Sequence, residues 1–494
     1  MKRTAQFFHC FEEDPLYRLG FAVIFLVGCV HRVIALSLPL VGDEVTTYLD
    51  YISQSFTTLI SQNYIPNNHI FHSVLVFFTQ KLLGDSLVTL RIPAFAAGVL
   101  VMPLGYFTAR RFFGRQVALM TGVMLSASAP LVYFSAVARG YSIIILASLG
   151  LAVVADLLAR RDETRLWTVL IVISVVGFYT IPVMLYPFGG IAVWMLWLFT
   201  LHEEFRSSIK AKKLVLSILA TGAIVIVLYA PVIAGSGWDA LTANQFVAPL
   251  PWADFLQSIR VEVPRIWTYL NNGSPYLVPS FCGAGLLLYI LRPGNNNEHR
   301  KALIIITILW TVAVVLAQRV IGFERVWTFF IPFYIMYALA GWMQLGKVYL
   351  EGIQSSHFVV SACILAVVLS FISHSYQSSP LVRSSDGVRE MAVFLSGVLR
   401  GSDIVVSEYE NYYAAKYYFD RQSIQNRLLD GSSPWELGNP SGKIFMLLKN
   451  PKRVDVVASK IIHLADSYIV KIISQRQIVS GGVYLIEVEI NIAE

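Results

Sequence analysis

Long apolar runs separated by short polar segments make up the first three quarters of the chain. A membrane-spanning helix needs roughly 20 mostly apolar residues. Eleven segments come close to this length: 19–40, 88–109, 116–135, 140–159, 166–181, 182–201, 214–234, 277–292, 302–320, 326–346 and 357–375. The apolar stretch 166–201 is too long for one span, and Pro182 is the predicted break because proline interrupts helices. The pattern predicts a polytopic α-helical membrane protein.

The run 69–83 differs from these segments. It is too short to span comfortably and carries His69, His72, Gln80 and Lys81. We expect an amphipathic helix that lies at the membrane interface.

The last part of the chain has another pattern, in which charge returns and short apolar runs alternate with polar ones. The short apolar runs are "DIVVSE", "KIFMLLK", "VDVVASKIIHL" and "YLIEVEI", and "YENYYAAKYYF" after the first of them reads as a helix, so strands and helices alternate. Residues 377–494 therefore predict a small α/β domain that follows a transmembrane module at 1–376.

Composition supports the membrane assignment. Apolar and aromatic residues make up 56% of the 494 residues and charged residues only 14%, whereas soluble domains have roughly 25% charged residues. The first apolar segment is too long for the core of a signal peptide and no cleavage site follows it, so it predicts a retained helix. The four cysteines lie in or near apolar segments without CxxC spacing, which favours small core residues over disulfides or metal ligands.

The net charge of +7 comes from short basic clusters between the apolar runs. Such clusters are typical of cytoplasmic loops, so the charge predicts no nucleic-acid partner. If the N-terminus is cytoplasmic, every basic loop cluster also lies in the cytoplasm, provided that 69–83 does not cross. The loops 42–87 and 235–276 and the C-terminal domain then face outward, as in a multi-pass cell-membrane protein.

The first outward loop carries a dense polar group that begins with "GDE". Asp43 and Glu44 lie where the first span ends, and a carboxylate at that depth needs a matching cation, metal or proton. The simpler interpretation is that both acids begin a short helix at Val45, since acids favour helix N-termini. The position of the two acids in the sequence is compatible with both interpretations.

The motif "NNHIFH" adds two histidines, three residues apart, that could share one helix face. A histidine with a carboxylate is a plausible set of ligands for a divalent metal, here Glu44 with His69. The alternative is that both histidines are ordinary polar residues of the interface. Tyr48, Asn68 and His72 are candidates for contact with an acceptor or a sugar.

Four arginines lie near the predicted outward ends of spans, against the usual charge bias: Arg91, Arg139, Arg319 and Arg325. Any one of them could reach toward lipid headgroups. Together, opposite an acidic loop, they suggest an anion-binding rim, because the guanidinium fork suits phosphate oxygens. A phosphate at a membrane surface is most simply a lipid phosphate.

Sugar transfer from a polyprenyl-phosphate donor requires a lipid phosphate as leaving group and a nearby carboxylate. The acid removes a proton from the acceptor hydroxyl while cations stabilise the departing phosphate. Alternatives are an oligosaccharide ligase or polymerase that uses a lipid diphosphate, a transporter, and a non-catalytic relative. A transporter would favour duplicated halves and charges in mid-span, which the sequence does not show.

In order and spacing, residues 20–350 resemble the C-type membrane glycosyltransferases of family 39, the group of protein O-mannosyltransferases and lipid A aminoarabinose transferases. The resemblance rests on "GDE", "NNHIFHSVLVFFTQKLLGDSLVTLRIPAFAAGVL", "ARRFFGRQVALMTGVMLSASAPLVYFSAVARGYS", "GFYTIPVMLYPF" and "ERVWTFFIPFYIMYALAGW". It implies the C-type glycosyltransferase architecture, a polyprenyl-phosphate sugar as donor, and an acceptor that the sequence does not name.

The resemblance also implies roles for single residues. Asp43 matches the catalytic base and Glu44 its acidic neighbour, whereas Arg91, Arg139, Tyr141 and Arg325 match positions near the donor phosphate. His69 falls where some members place a metal ligand.

Four departures set the chain apart from the family pattern. Val137 and Gly140 replace a glutamate and a methionine, and Ile181 replaces a histidine of the "Tyr-Thr-His" element. The usual "His-Pro-Pro-Leu" reads "Asn-Asn-His-Ile" at 67–70. These changes weaken the expectation of a metal and indicate a subfamily with its own substrate.

Overall fold

The computed structural model describes residues 14–38, 40, 42–63, 67–239, 248–271, 277–292, 298–350, 355–377, 386–430, 443–448, 454, 457, 468–478 and 483–492. Most of the predicted segment "VDVVASKIIHL" lies outside these residues, as do parts of the two outward loops, at 64–66, 240–247 and 272–276.

Helices account for most of the described chain. In the first half they are α1 (Pro15–Ala35), α2 (Gly42–Thr47), α3 (Phe56–Ser61), α4 (Ile70–Leu83), α5 (Leu87–Phe113), α6 (Arg115–Ala127), α7 (Ala129–Ala136), α8 (Tyr141–Arg160), α9 (Thr164–Thr180), α10 (Leu185–Thr200) and α11 (Ser208–Ser236). They continue with α12 (Trp252–Leu270), α13 (Leu277–Leu291), α14 (Glu298–Gln318), α15 (Ile331–Leu350), α16 (Ser355–Gln377), α17 (Asp386–Val398) and α18 (Tyr409–Arg421).

Each predicted span coincides with a helix or with a bent pair of helices. Eight helical segments of the described chain are long and apolar enough to cross a membrane, and the pair α6 and α7, bent by 56°, would make a ninth. Helices α9 and α13 cover the two remaining predicted spans and are shorter. The prediction of a multi-pass helical membrane protein is confirmed.

The predicted break at Pro182 is also confirmed. Helix α9 ends at Thr180, Ile181 is extended with φ −151° and ψ 132°, and a 3₁₀ turn over Pro182–Met184 leads into α10. The extended residue follows from steric conflict between the proline ring and a helical residue before it.

Three of the basic loop clusters meet at one end of the helical bundle, around the buried carboxylate of Asp156 near the end of α8. Arg111 at the end of α5 donates from Nε to Asp156 Oδ2 at 2.6 Å, and Arg300 at the start of α14 lies 3.4 Å from Oδ1. Arg160 contributes a third guanidinium, 3.8 Å from Oδ2. Clusters that the sequence assigned to one side of the membrane therefore share one end of the bundle, and which side is cytoplasmic stays a prediction.

We expect Asp156→Ala to lower the stability of the protein strongly, because three guanidinium groups would lose their shared carboxylate. Breaking a buried ion pair by removing one partner costs about 3–5 kcal/mol. Thermal unfolding of the purified protein in detergent measures the loss. Asp162→Asn is the control, since the side chains of the Asp162–Lys213 pair, 2.7 Å apart, are 32% and 39% exposed and surface pairs contribute about 0–1 kcal/mol. Equal melting temperatures for the two variants would contradict the expectation.

A five-stranded sheet forms the core of the C-terminal region. Its strands are β1 (Ile404–Ser407), β2 (Arg427–Asp430), β3 (Ile444–Leu448), β4 (Tyr468–Ile478) and β5 (Val483–Ile492), in the order β2-β1-β3-β5-β4. Strand β1 pairs in parallel with both β2 and β3. Strand β5 pairs antiparallel with β3 on one side and with β4 on the other. Helices α17 and α18 pack on it through an apolar core that includes Val405, Phe419 and Phe445. The predicted α/β domain is therefore present.

Contacts divide the chain into two compact units. The first contains residues 1–36 and 55–374, and the second contains residues 37–54 together with 375–494. The segment that carries Asp43 and Glu44 thus belongs to the second unit, where α2 packs on α18.

Candidate functional site

Arg139 is the centre of a buried polar cluster in the first unit. Its Nη1 donates to the carbonyl oxygen of Asn67 at 2.7 Å, and its Nη2 lies 2.9 Å from Nε2 of His69. Next to it, the backbone N–H of Gly140 donates to Nδ1 of His69 at 2.8 Å. These contacts join the loop before α4 to the turn that begins α8.

Tyr141 and Arg325 extend the cluster. The ring of Tyr141 meets the edge of His69, with centroids 5.1 Å apart, and its hydroxyl accepts a hydrogen bond from Arg325 Nε at 3.1 Å. Arg325 lies in a 3₁₀ segment, Glu324–Phe330, that leads into α15. The structure therefore brings together four of the predicted residues, His69, Arg139, Tyr141 and Arg325, from three distant parts of the sequence.

The cluster lies at the end of α8 opposite to Asp156. Tyr141 is the first residue of α8, and Asp156 lies fifteen residues later. At about 1.5 Å per helical residue the two points are about 22 Å apart. Arg139 and Arg325 are thus at the end of the bundle away from the loop clusters of Arg111, Arg160 and Arg300.

His69 is a fixed, uncharged acceptor. Burial lowers the pKa of His69 well below its usual range, and the nearby Arg139 adds to this. Its neutral ring has one lone pair, whereas two N–H donors, from Gly140 and Arg139, point at its two nitrogens. A protonated ring would oppose both donors, whereas the neutral ring can accept a hydrogen bond from one of them, so the neutral form fits these contacts better.

The same contacts bear on the predicted metal ligand. A metal at His69 would have to displace Gly140 or Arg139 from a ring nitrogen, so His69 as it is placed here does not fit a metal. Among the described residues, no group of three or more histidine, cysteine or acidic side chains could hold a metal ion. The divalent ion expected at Glu44 and His69 stays a prediction, and we assign it no step.

Two further predicted residues lie close to the cluster in sequence. The amide of Asn68 donates to Leu59 O at 2.8 Å and accepts from Ser73 Oγ at 2.8 Å, which favours a role in holding the loop. His72 is completely buried, and both ring nitrogens lack a hydrogen-bond partner in the described part of the chain. Burial, with a smaller contribution from Arg139, lowers the pKa of His72 to about 3.

The other two predicted arginines have contacts of a different kind. Arg91 is fully buried in α5, and its Nη1 donates to the carbonyl oxygen of Leu36 at 2.9 Å, which joins α5 to the end of α1. Arg319, with φ 51°, follows α14 and lies over the ring of Trp252, 5.7 Å from its centroid. Of the four arginines in the predicted rim, Arg139 and Arg325 lie in the cluster.

Asp43 and Glu44 occupy the first turn of α2 in the second unit, as expected for acids at a helix N-terminus. Glu44 is buried with 1% exposure, and Thr47 Oγ1 donates to the carbonyl oxygen of Asp43 at 2.8 Å. Helix α2 continues as a π-helical turn, Tyr48–Ile52, a rare form that occurs often at functional sites. The ring of Tyr48 meets that of Tyr417 edge to face, with centroids 5.5 Å apart.

Sequence reasoning missed two polar residues of the first unit. Arg32 in α1 is completely buried, and its guanidinium donates to Ser135 Oγ and to the carbonyl oxygens of Gly28 and Leu125, each at 3.1 Å. Its position inside an apolar run was the available signal. The other is Tyr269 in α12, whose hydroxyl is buried near Arg325.

We expect Gly140→Ala to disturb the cluster through packing. The backbone of Gly140, with φ −74°, tolerates alanine, but a Cβ atom there would collide with Cγ2 of Thr180 and lie 3.2 Å from Nδ1 of His69. Such overpacking should lower the free energy of unfolding by about 1–3 kcal/mol. Thermal unfolding of the purified variant measures the loss.

The second variant for this test is Gly140→Ala with Thr180→Ser. Serine removes Cγ2 and can keep the hydrogen bond that Thr180 Oγ1 donates to Val176 O at 2.7 Å. The double variant should recover most of the lost stability. No recovery would show that the collision is not the cause.

The sequence matches no protein-family model, and no curated protein sequence is similar enough to match. Two solved structures with a similar course of the chain are those of ArnT from Cupriavidus metallidurans. The apo structure has a TM-score of 0.54 at 11% identity, over 95% of this chain and 98% of ArnT. The structure of ArnT bound to undecaprenyl phosphate has a TM-score of 0.47 at the same identity and coverage. The likeness to apo ArnT confirms the predicted C-type glycosyltransferase fold.

Proposed function

We propose that the protein is a membrane glycosyltransferase that moves a monosaccharide from a polyprenyl-phosphate donor to an extracytoplasmic acceptor. The observation that supports this most is the convergence of Arg139, Tyr141 and Arg325 at the start of α8, within a C-type glycosyltransferase fold.

The charge of the cluster favours an anion. Arg139 and Arg325 are both cationic, whereas His69 between them is neutral. The carboxylate of Glu324 is already 3.8 Å from Nε of another arginine, Arg265. The N-terminus of α8 adds the positive end of a helix dipole. Guanidinium groups and a helix N-terminus are the usual partners of phosphate oxygens.

The position of the cluster favours a lipid-linked phosphate. Helix α8 is long and apolar enough to span a membrane, so its first residue lies near one surface of the bilayer. A phosphate carried on a polyprenyl chain reaches that level without leaving the membrane. A water-soluble donor would reach its phosphate site equally well in a domain outside the membrane, so it gives no reason for a phosphate site at the bilayer surface.

The proposed reaction is a single displacement at the anomeric carbon. Asp43 removes the proton of the acceptor hydroxyl as the acceptor oxygen bonds to that carbon, and the bond to the phosphate oxygen breaks. The polyprenyl phosphate leaves with the electron pair, its charge stabilised by Arg139 and Arg325. Glu44 supports the base. One displacement inverts the anomeric centre.

The test uses purified protein with a polyprenyl-phosphate monosaccharide that carries radiolabel in the lipid. Thin-layer analysis should show release of polyprenyl phosphate that depends on added acceptor. Consumption of only a lipid-diphosphate oligosaccharide would support a ligase or polymerase. Counterflow in proteoliposomes with the donor intact would support a transporter. Either result would overturn the proposal.

A further inference from the structure

Helix α12 is a docked element of the first unit. Phe255 near its start is fully buried, and the ring of Trp267 packs on Tyr334, with centroids 5.6 Å apart. Just after the helix, Asn271 Oδ1 accepts from the hydroxyl of Tyr334 at 3.2 Å. Helix α12, in the loop 235–276 that the sequence predicts to face outward, is therefore held against the bundle at both of its ends.

The last turn of α12 places Tyr269 beside the cluster. Its hydroxyl oxygen is buried and has no hydrogen-bond partner in the described chain. Its electrostatic neighbours are Tyr133, Tyr141, Glu324 and Arg325. Burial raises the pKa of Tyr269, so the hydroxyl keeps its proton and can donate it in a hydrogen bond.

A buried hydroxyl without a partner is costly, and native proteins rarely keep one without a reason. A phosphate oxygen held by Arg325 and Tyr141 would supply the missing acceptor. Glu324 does not accept a hydrogen bond from this hydroxyl, and its carboxylate lies 3.8 Å from Nε of Arg265. A neutral donor would also add a directional bond to a site whose charge the arginines already supply.

We propose that the hydroxyl of Tyr269 donates a hydrogen bond to the phosphate of the lipid donor and selects for that phosphate. This inference rests on the proposed function. Tyr269 is then a binding residue contributed by α12, in addition to Arg139, Tyr141 and Arg325.

The test compares Tyr269→Phe with Tyr289→Phe in the full-length protein. Tyr289 in α13 also has a buried hydroxyl without a partner in the described chain, but its ring packs on Tyr337, 5.3 Å away, and Tyr337 donates to the backbone of Arg300 at the Asp156 end. Each change removes one oxygen. The probes are undecaprenyl phosphate and undecaprenol, titrated in detergent with tryptophan fluorescence as the readout.

We expect Tyr269→Phe to bind undecaprenyl phosphate about tenfold more weakly than the wild type, as for loss of a hydrogen bond to a charged group. Its affinity for undecaprenol and its melting temperature should not fall. Tyr289→Phe should bind both probes as the wild type does. These results together support the inference.

Other outcomes separate the inference from the proposed function. If the wild type binds undecaprenyl phosphate no better than undecaprenol, the phosphate site and with it the proposed function are wrong. If the wild type prefers the phosphate and Tyr269→Phe keeps the full preference, only the role of Tyr269 is wrong. An equal loss of affinity for both probes would show that Tyr269 shapes the site for the prenyl chain, which also contradicts the inference.

Discussion

Replacing Arg139 with alanine should reduce sugar transfer to less than about one thousandth of the wild-type rate. Removal of one preorganised donor to developing charge costs about 10²–10³ in kcat. Arg139 also holds the loop through Asn67 O and His69, so its removal affects position as well as charge. Transfer is measured as release of labelled polyprenyl phosphate by the purified variant.

Arg139→Lys separates charge from geometry. Lysine keeps the cation, but its single ammonium cannot repeat the two contacts that the planar guanidinium makes with Asn67 and His69. We expect transfer to be weak yet above that of Arg139→Ala. Lysine rates equal to the wild type would show that only charge is needed.

Arg32→Lys is the matched control for loss of a buried guanidinium. Arg32 is as buried as Arg139, but all its described donors bind within α1, α5, α6 and α7. This variant should lower the melting temperature without a comparable loss of transfer per folded molecule. If both arginine variants lose transfer only in proportion to folded protein, Arg139 has no role in the reaction.

Much of the fold could be predicted because membrane spans are a property of local composition. The spans and the break at Pro182 followed from apolar runs, and the C-terminal α/β domain followed from the return of charge after about residue 376. The grouping of residues 37–54 with that domain was not predicted. Strands β2 and β4 were missed. Strand β2, Arg427–Asp430, has only four residues. Strand β4 contains "KIISQRQI", in which the alternation of apolar and polar residues is interrupted where the pairing with β5 shifts register, between Ile472 and Ser474.

The site could be predicted only in part. Arg139 and Arg325 were predicted as site residues because a cation near a predicted outward end of a span is unusual. Their meeting through Tyr141 depends on how α8 and the 3₁₀ segment at 324–330 pack, which no local pattern contains. Arg91 resembled them in sequence, yet its described bond is to Leu36 O. Tyr269 could not be distinguished among 24 tyrosines, because its significance lies in what surrounds its hydroxyl.

The proposed role of Asp43 as general base predicts a second large loss of transfer. Asp43→Asn should reduce transfer by about 10²–10⁴, the usual contribution of a general base. Asparagine keeps the size and polar shape of the side chain, but it cannot take a proton. Asp43 is the second residue of α2, where asparagine is tolerated, so α2 should remain folded, with a loss of about 0.3–1 kcal/mol in its interaction with the helix dipole.

Asp50→Asn provides the matched control for Asp43→Asn. Asp50 lies in the π-helical turn of the same segment, and burial raises its pKa although Lys416 nearby opposes the shift. Both variants remove one carboxylate charge, but only Asp43→Asn should stop transfer, and undecaprenyl phosphate should bind to both as to the wild type. If Asp43→Asn transfers sugar at the full rate, its carboxylate serves only to begin α2, and the base must be another residue.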